Sequence, residues 1–313
     1  MAQHSFTSSS NVAKVIKKLI LFVVLFWVVS SCIYLIINYM YFSSFGGNSG
    51  AQINHVIRSK YDAYIFGASR ASHHYDPTYI SQHLGLSCFN AGDDGKNAVY
   101  QYGLLQLLLK NHVPKLIIYE IGDITKNLDA GTVDLYPYYY KNSFIRQLLN
   151  ERDKLAIIKF LLPLYSYNNK VFSVGKGFVL STSPFETGFR PIDGKMHSGE
   201  VKKIEKTETV GNSKTPVDHI ALKSFKNFIK TCNENNIKLL FCFSPSYTPR
   251  QPAGLDLIQG LAAEIDAPVY NYGEHELFSY NPELFKDAGH LNREGAELFT
   301  KLLIEDMDIQ VNR

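Results

Sequence analysis

The feature that most constrains this chain is an apolar run of 24 residues, Leu19 to Phe42, that contains no charged side chain. At a rise of about 1.5 Å per residue, a helix of this length crosses a hydrocarbon core of roughly 30 Å. We therefore predict one transmembrane helix over residues 19–42. The residues after this run, 43–313, number about 270 and then have to fold on one side of the bilayer.

The charges on either side of the run indicate its direction. Lys14, Lys17 and Lys18 precede it, and the next Lys or Arg is Arg58. Positive residues favour the cytoplasmic side, so residues 1–18 are predicted to be cytoplasmic. The rest of the chain is then extracytoplasmic (periplasmic), and the protein is a single-pass protein of the cytoplasmic membrane.

A lipoprotein is the alternative to this uncleaved anchor. Residues 29–32, which end at Cys32, resemble a bacterial lipoprotein box, and Cys32 would be the lipidated residue. The residues that follow, 33–37, are apolar, whereas a mature lipoprotein normally begins with polar residues. A cleaved signal peptide fits less well, because the apolar run continues past any small-residue cleavage site. Both remaining readings place the main domain outside.

Charge and cysteine content exclude several classes. Three of the 32 Lys and Arg residues precede the apolar run, which leaves 29 against 29 Asp and Glu. A neutral main domain argues against nucleic acid as a partner, because binding phosphates needs clustered positive charge. Cys88, Cys232 and Cys242 form no C-x-x-C pair, so neither a disulfide framework nor a metal site is predicted. Free buried thiols are favoured, with one bridge left open.

Beyond a Ser/Gly-rich linker over residues 43–58, short apolar runs alternate with helical patterns. Strands are predicted at 61–66, 86–90, 115–121, 237–243 and about 268–270, and helices at 97–111, 221–232 and 292–305. Strands that are apolar throughout and alternate with helices are typical of a parallel sheet covered on both faces. We therefore expect one α/β domain over residues 59–313.

Residues 127–215 interrupt this alternation. They contain an aromatic run at 136–140, an apolar stretch at 155–164, and a segment over 168–216 rich in Gly, Ser, Thr and Lys that reads as long loops. We expect an insertion between the third and fourth strands. An insertion of this length commonly forms a lid or a binding surface.

Two groups of residues are candidates for chemistry. Asp287 and His290 stand three apart on a turn before the last helix, where a carboxylate can fix the tautomer of an imidazole and leave its other nitrogen for a nucleophile. Ser69, Gly95 and Asp123 each follow a predicted strand. In parallel α/β sheets the site lies at the carboxyl ends of the strands, so these residues are expected to meet there.

In combination, these motifs resemble the SGNH (GDSL-type) hydrolase superfamily, and specifically its membrane-anchored extracytoplasmic branch. The resemblance covers about residues 60–125 and 236–306, with Gly67-Ala68-Ser69, a glycine at Gly95, Glu120-Ile121-Gly122, and D-x-x-H at 287–290 in order. It implies a flavodoxin-like three-layer sandwich with a mostly parallel sheet. It also implies Ser69 as nucleophile, His290 as base and Asp287 as the acid that orients it.

The resemblance has one departure that bears on activity. Residues 122–125 read G-D-I-T, without the Asn that the family uses as an oxyanion donor. The backbone N–H groups of Ser69 and Gly95 remain available, and Asn97 or Thr125 is expected to supply a third donor. Arg70 is a candidate for binding an anionic group or for a structural ion pair. The adjacent His73 and His74 either touch substrate or form an exposed pair.

The function implied is a serine acyl-ester hydrolase or O-acyltransferase acting on an envelope glycan or lipid-linked saccharide. A membrane-bound acyl-donor protein is the expected partner, and no cofactor or metal is expected. The missing Asn favours an alternative, a non-catalytic SGNH-like glycan-binding or scaffold protein of a polysaccharide export or modification complex. An α/β-hydrolase is excluded, because Ala71 stands where the G-x-S-x-G elbow needs its second glycine.

Overall fold

Five short strands form a single parallel sheet in the computed structural model, which describes residues 6–43, 49–122, 129–180, 186–201 and 218–311. The strands are β1 (Ala63–Phe66), β2 (Cys88–Asn90), β3 (Leu116–Glu120), β4 (Lys238–Phe243) and β5 (Val269–Asn271). Their order is β2-β1-β3-β4-β5, and every neighbouring pair is parallel. This is the flavodoxin-like order, so the predicted α/β fold class is confirmed.

Helices connect the strands. In chain order they are α1 (Phe6–Ser43), α2 (Ser49–Arg58), α3 (Ser69–His74), α4 (Pro77–Leu84), α5 (Ala98–Leu108), α6 (Ser143–Arg152), α7 (Ala156–Lys159), α8 (Val171–Leu180), α9 (His219–Glu234), α10 (Leu255–Ala263) and α11 (Arg293–Val311). Three 3₁₀ helices cover Asp129–Tyr138, Pro163–Tyr167 and Pro282–Leu284. Helices α2, α5 and α9 pack together in one layer, and α3, α4 and α11 in the other.

The two faces of the sheet bury different side chains. On the α9 side, the ring of Phe228 contacts Tyr119 and Phe66, at centroid distances of 5.0 and 5.3 Å. On the other side, aliphatic residues of β1 and β3, such as Ile65 and Ile118, belong to one core with Phe299 of α11. Burial on both faces explains why each strand reads as an almost continuous apolar run.

Two segments differ from the sequence expectation. Residues 49–58 of the predicted linker form α2, whose Ile53 and Val56 are fully buried. Apolar side chains four or fewer positions apart give this helix a buried stripe, which the Ser/Gly content before it obscured. Residues 171–180, within the segment read as loops, form α8, which packs against α1. This packing overrides the low helix propensity of its two glycines.

The cysteines follow the expectation. Cys32, Cys88, Cys232 and Cys242 are free thiols, and the last three are buried. Burial raises the pKa of the Cys88, Cys232 and Cys242 thiols above their usual range, so these side chains act as small apolar groups of the core.

The chain divides into two compact units. The larger unit comprises residues 45–135 and 181–313 and contains the whole sheet. The smaller unit comprises residues 1–44 and 136–180, so it pairs α1 with part of the predicted insertion. Of the described helices, α1 alone, over Asn11–Ser43, is long and apolar enough to cross a membrane. That helix begins before the predicted span and carries Lys14, Lys17 and Lys18 in its first third.

Candidate active site

The turn after β1 places Ser69 at the start of α3. Gly67 adopts a φ of +149°, and a Cβ atom there would lie 2.7 Å from the Cβ of Ala71 and 2.9 Å from that of Glu120. Only glycine fits this close approach of backbone and side chains. The turn leaves Ser69 half-buried, with its hydroxyl at the carboxyl end of the sheet.

A second turn, before α11, carries the acid and the imidazole. The Asp287 carboxylate accepts the backbone N–H groups of Gly289 and His290 at 2.8 and 3.0 Å, which fixes the turn. His290 Nδ1 lies 2.9 and 3.0 Å from the two oxygens of Asp287. Because a carboxylate only accepts, we assign the proton to Nδ1, and Nε2 is left as an acceptor.

His290 Nε2 lies 2.8 Å from Ser69 Oγ. The hydroxyl of Ser69 therefore donates to the imidazole, which in turn donates to Asp287. The structure thus brings together the three residues for which the sequence predicted a nucleophile, a base and an orienting acid. Their catalytic roles remain predictions.

The Asp287 carboxylate is held in its ionised form. Partial burial acts to raise its pKa, but the hydrogen bonds from the His290 side chain and from the Gly289 N–H outweigh this, and the pKa is lowered overall. A negative Asp287 at neutral pH stabilises a positive charge on His290, the charge that develops when an imidazole takes a proton from a serine.

A cavity of about 350 Å³ lies beside Ser69. Its wall includes the start of α3, the carboxyl ends of β3 and β4, and the start of α5, through Arg70, Asn97, Glu120, Gly122 and Phe243. Asn97 is also the N-cap of α5, where its side-chain oxygen accepts the Tyr100 N–H at 3.0 Å. The Asn97 amide is therefore held at the wall of the cavity by the helix that it caps.

The other predicted oxyanion residues are placed differently. Gly95 has a φ of +70° and is exposed, and its neighbour Lys96 lines the cavity where Gly95 does not. Thr125 and Asp123 lie outside the described residues. Of the three candidates Gly95, Asn97 and Thr125, the structure therefore brings Asn97 to the cavity that Ser69 lines.

Arg70 forms an ion pair at the base of the site, the structural alternative to anion binding. Its Nε lies 3.2 Å from Glu120 Oε1, and its guanidinium stacks on the Phe243 ring at 4.2 Å. Glu120 also accepts hydrogen bonds from the Ser244 N–H at 3.1 Å, the Ser244 hydroxyl at 2.9 Å, and the Tyr75 hydroxyl. Burial raises the pKa of Glu120, and the Arg70 charge and these donors oppose that rise.

His74 corrects the expectation of an exposed histidine pair. It is fully buried, its Nε2 accepts the Leu291 N–H at 3.0 Å, and its Nδ1 lies 2.8 Å from Ser244 Oγ. Because Nε2 accepts, Nδ1 carries the proton and donates to Ser244. His73 is mostly buried, with its two ring nitrogens on the Arg190 carbonyl and Asp94.

Sequence reasoning missed this buried polar group of Glu120, Ser244 and His74. The signal for Glu120 was present, since a carboxylate at the end of an otherwise apolar strand has to find partners. No sequence signal joins it to Ser244, which lies 124 positions away after β4. The contact exists because β3 and β4 are neighbours in the sheet.

Comparisons with known proteins add little beyond this geometry. No family model matches the chain, and no curated protein matches it. Among solved structures, the chain is similar to a crystal structure of a proposed acylhydrolase from Bacteroides fragilis NCTC 9343, with 10% sequence identity over 79% of this chain and 86% of that one, at a TM-score of 0.34. The proposed chemistry of the site therefore rests on the chain's own residues.

Proposed function

We propose that this chain is a membrane-anchored, SGNH-type serine acyl-ester hydrolase or O-acyltransferase that acts on an envelope glycan outside the cytoplasm. The observation that carries the chemistry is the hydrogen-bonded series Ser69, His290 and Asp287, with Ser69 Oγ 2.8 Å from His290 Nε2. A serine so placed is a weak nucleophile made reactive by an adjacent base, and the base is oriented by a third group.

In the first half of the reaction, Ser69 Oγ attacks the carbonyl carbon of an acyl ester, and His290 Nε2 takes the hydroxyl proton. The tetrahedral intermediate collapses, the ester C–O bond breaks, and His290 returns the proton to the departing alcohol. This leaves the acyl group as an ester on Ser69. Asp287 holds His290 in position and stabilises its positive charge throughout.

In the second half, an acceptor hydroxyl attacks the acyl-serine carbonyl while His290 takes its proton. The bond to Ser69 Oγ breaks, and His290 returns the proton to Ser69. A water acceptor gives hydrolysis, and a sugar hydroxyl gives transfer. Transfer requires that the acceptor site exclude water from the acyl-serine.

The negative oxygen of each intermediate needs hydrogen-bond donors. The Ser69 backbone N–H is one donor in this proposal, and the Asn97 side-chain amide is the second. Asn97 lines the cavity beside Ser69, and the hydrogen bond from the Tyr100 N–H to its side-chain oxygen holds the side chain there. Asn97 would then substitute for the Asn that is missing from residues 122–125.

The glycan and the envelope location rest on the sequence. The apolar helix, the lysines before it and the resemblance to extracytoplasmic acyl-transfer proteins support an outward-facing enzyme whose substrates are held at a membrane. A membrane-bound acyl-donor protein fits a chain that is itself membrane-anchored.

A serine-reactive fluorophosphonate probe tests the chemistry directly. We expect the full-length protein to be labelled, Ser69→Ala to lose labelling completely, and Ser198→Ala, which changes an exposed serine of the larger unit, to be labelled normally. Near-ultraviolet circular dichroism of each variant checks the fold. A folded wild type that is not labelled would instead favour the non-catalytic glycan-binding or scaffold function.

The envelope substrate is tested in the producing cell. We expect a Ser69→Ala strain to lose acyl groups from an envelope polysaccharide without a change in glycan chain length. More acyl groups than in wild type would identify an esterase that removes them. Unchanged acylation would contradict the proposed substrate while leaving the probe result intact.

A further inference from the structure

The smaller unit exposes an unusual amount of apolar surface. Within residues 155–180, six large apolar side chains are at least half exposed: Leu155, Ile157, Ile158, Leu161, Phe172 and Val179. Phe172 is 85% exposed, Val179 76% and Leu161 68%. The described part of the larger unit is several times longer than residues 155–180, yet it has only four exposed large hydrophobic residues: Val113, Leu277, Tyr280 and Leu298. A concentration of this kind marks an interaction surface.

This surface continues the apolar surface of α1. The Tyr167 hydroxyl donates to Asn38 Oδ1 at 2.9 Å, and the rings of Phe178 and Tyr39 lie 6.2 Å apart. Further along α1, the indole N–H of Trp27 donates to the Leu161 carbonyl at 3.0 Å. Trp27 precedes Asn38 by 11 positions, about 16 Å of helix, so the 155–180 segment lies beside the middle and the outer part of the predicted span.

Two backbone carbonyls of this segment accept hydrogen bonds from aromatic side chains. In lipid no water is available, so each carbonyl at a helix end needs a partner within the protein. After α7, the Phe160 carbonyl accepts the Tyr140 hydroxyl and the Leu161 carbonyl accepts the Trp27 indole. The charged Lys159 is paired with Asp153 at 2.5 Å. These two carbonyls and this ion pair thus have partners within the protein that do not depend on water.

We propose that residues 155–180 are embedded in the membrane beside residues 27–39 of α1, with the exposed apolar side chains of α7 and α8 in contact with lipid acyl chains. This assignment rests on the proposal that α1 spans the membrane. It goes beyond an anchored enzyme, because it makes part of the predicted insertion an intramembrane element and not an aqueous lid. Lys176, which is exposed on α8 between Phe172 and Val179, would extend its ammonium to the headgroups.

The test uses the full-length protein in phosphatidylcholine liposomes. In a Cys32→Ser background, an environment-sensitive fluorophore is attached to a new cysteine at Ile158, at Phe172, at Leu25 within α1, or at Gln259, an exposed position of the larger unit. We expect doxyl-labelled lipid to quench the probes at 158 and 172 as strongly as the probe at 25. Aqueous iodide should quench only the probe at 259.

The outcomes separate this inference from the anchor on which it rests. Iodide quenching at 158 and 172, with lipid quenching at 25, would overturn the embedded segment and leave the anchor intact. Iodide quenching at 25 would overturn both. In native membranes, a photo-crosslinker at Phe172 should give no discrete protein adduct, and such an adduct would show that a partner protein, not lipid, covers this surface.

Discussion

His74 connects the buried acid of the sheet to the turn that holds His290. Its imidazole spans from Ser244, which binds Glu120, to the backbone N–H of Leu291, the residue after His290. Each of these bonds has a defined direction, so His74 can serve only as the neutral tautomer with its proton on Nδ1. We regard His74 as a positioning residue, because it acts on His290 through the Leu291 backbone and not on Ser69.

Acid should destabilise the protein through His74. Burial, together with the nearby positive charge of Arg70, holds the pKa of His74 well below its usual value of about 6.5. Below pH 6.5 the unfolded chain binds a proton that the folded chain does not. The free energy of unfolding therefore falls as the pH is lowered, at up to about 1.4 kcal/mol per pH unit for this one group.

Urea unfolding at pH 7.5 and pH 5.5 measures this contribution. His74→Gln keeps one donor and one acceptor but cannot titrate, so its free energy of unfolding should fall less than that of wild type between the two pH values. His74→Leu, which cannot accept the Leu291 N–H, should be labelled more slowly by the fluorophosphonate at pH 7.5 if this contact positions His290. An equal pH dependence in both proteins would show that His74 is not the titrating group.

Asn97 allows the helix cap to be separated from the proposed oxyanion donor. Asn97→Asp retains the oxygen that caps α5 but removes the amide donor, and Asn97→Ala removes both. We expect both variants to lose about 10²–10³-fold in ester turnover. Only Asn97→Ala should also lose about 1 kcal/mol of stability. Wild-type turnover by Asn97→Asp would mean that Asn97 is a cap and nothing more.

At the scale of elements, the carboxyl ends of β3 and β4 and the start of α3 are joined by the Arg70–Glu120 pair. Glu120→Gln leaves the Arg70 guanidinium buried without its counter-charge, which we expect to cost about 3–5 kcal/mol of stability. Glu283→Gln is the matched control. It breaks an ion pair with Lys195 whose side chains are 63% and 52% exposed, and should cost less than about 1 kcal/mol.

Chemical denaturation of the two variants beside wild type measures both costs. A loss in Glu120→Gln no larger than that in Glu283→Gln would show that the hydrogen bonds from Ser244 and Tyr75, not the charge of Arg70, hold this corner of the sheet together.

Most elements of the larger unit could be predicted from the sequence, because a buried strand or helix face produces a recognisable pattern of apolar residues in a short stretch of chain. The strand over 238–243 reads as an apolar run, and α9 shows apolar residues at three- and four-residue spacing. Helix α2 could not be predicted in this way. Its short buried stripe, Ile53 and Val56, follows a Ser/Gly-rich stretch, and its partner α5 is distant in the chain.

The residues of the site likewise fall into those that a local motif reveals and those that only the packing of distant elements brings together. Ser69, Asp287 and His290 could be proposed because each stands in a short motif at a strand end or a helix start. The role of Asn97 as a cap was equally local, but its position on the cavity depends on where α5 packs. The polar group behind the site could not be proposed, because its members are brought together by strand order and by the position of α11.

At the scale of the whole molecule, the orientation of α1 decides which compartment the proposed enzyme serves. A reporter fused after Arg313 should be active as alkaline phosphatase and inactive as a cytoplasm-dependent fluorescent protein, because the lysines of α1 lie before its apolar part. The opposite pattern would reverse the orientation. Mass analysis of the N-terminus separates an intact anchor from lipidation at Cys32.

The hydrogen bond between Trp27 and Leu161 has a spectroscopic consequence. Trp27 is the single tryptophan among 313 residues, and it lies in the smaller unit. Fluorescence excited at wavelengths that tyrosine does not absorb would therefore report only on the contact between α1 and the 155–180 segment. Melting of the sheet would be invisible in that signal, whereas separation of the two segments would change the emission of a protein whose active site had not moved.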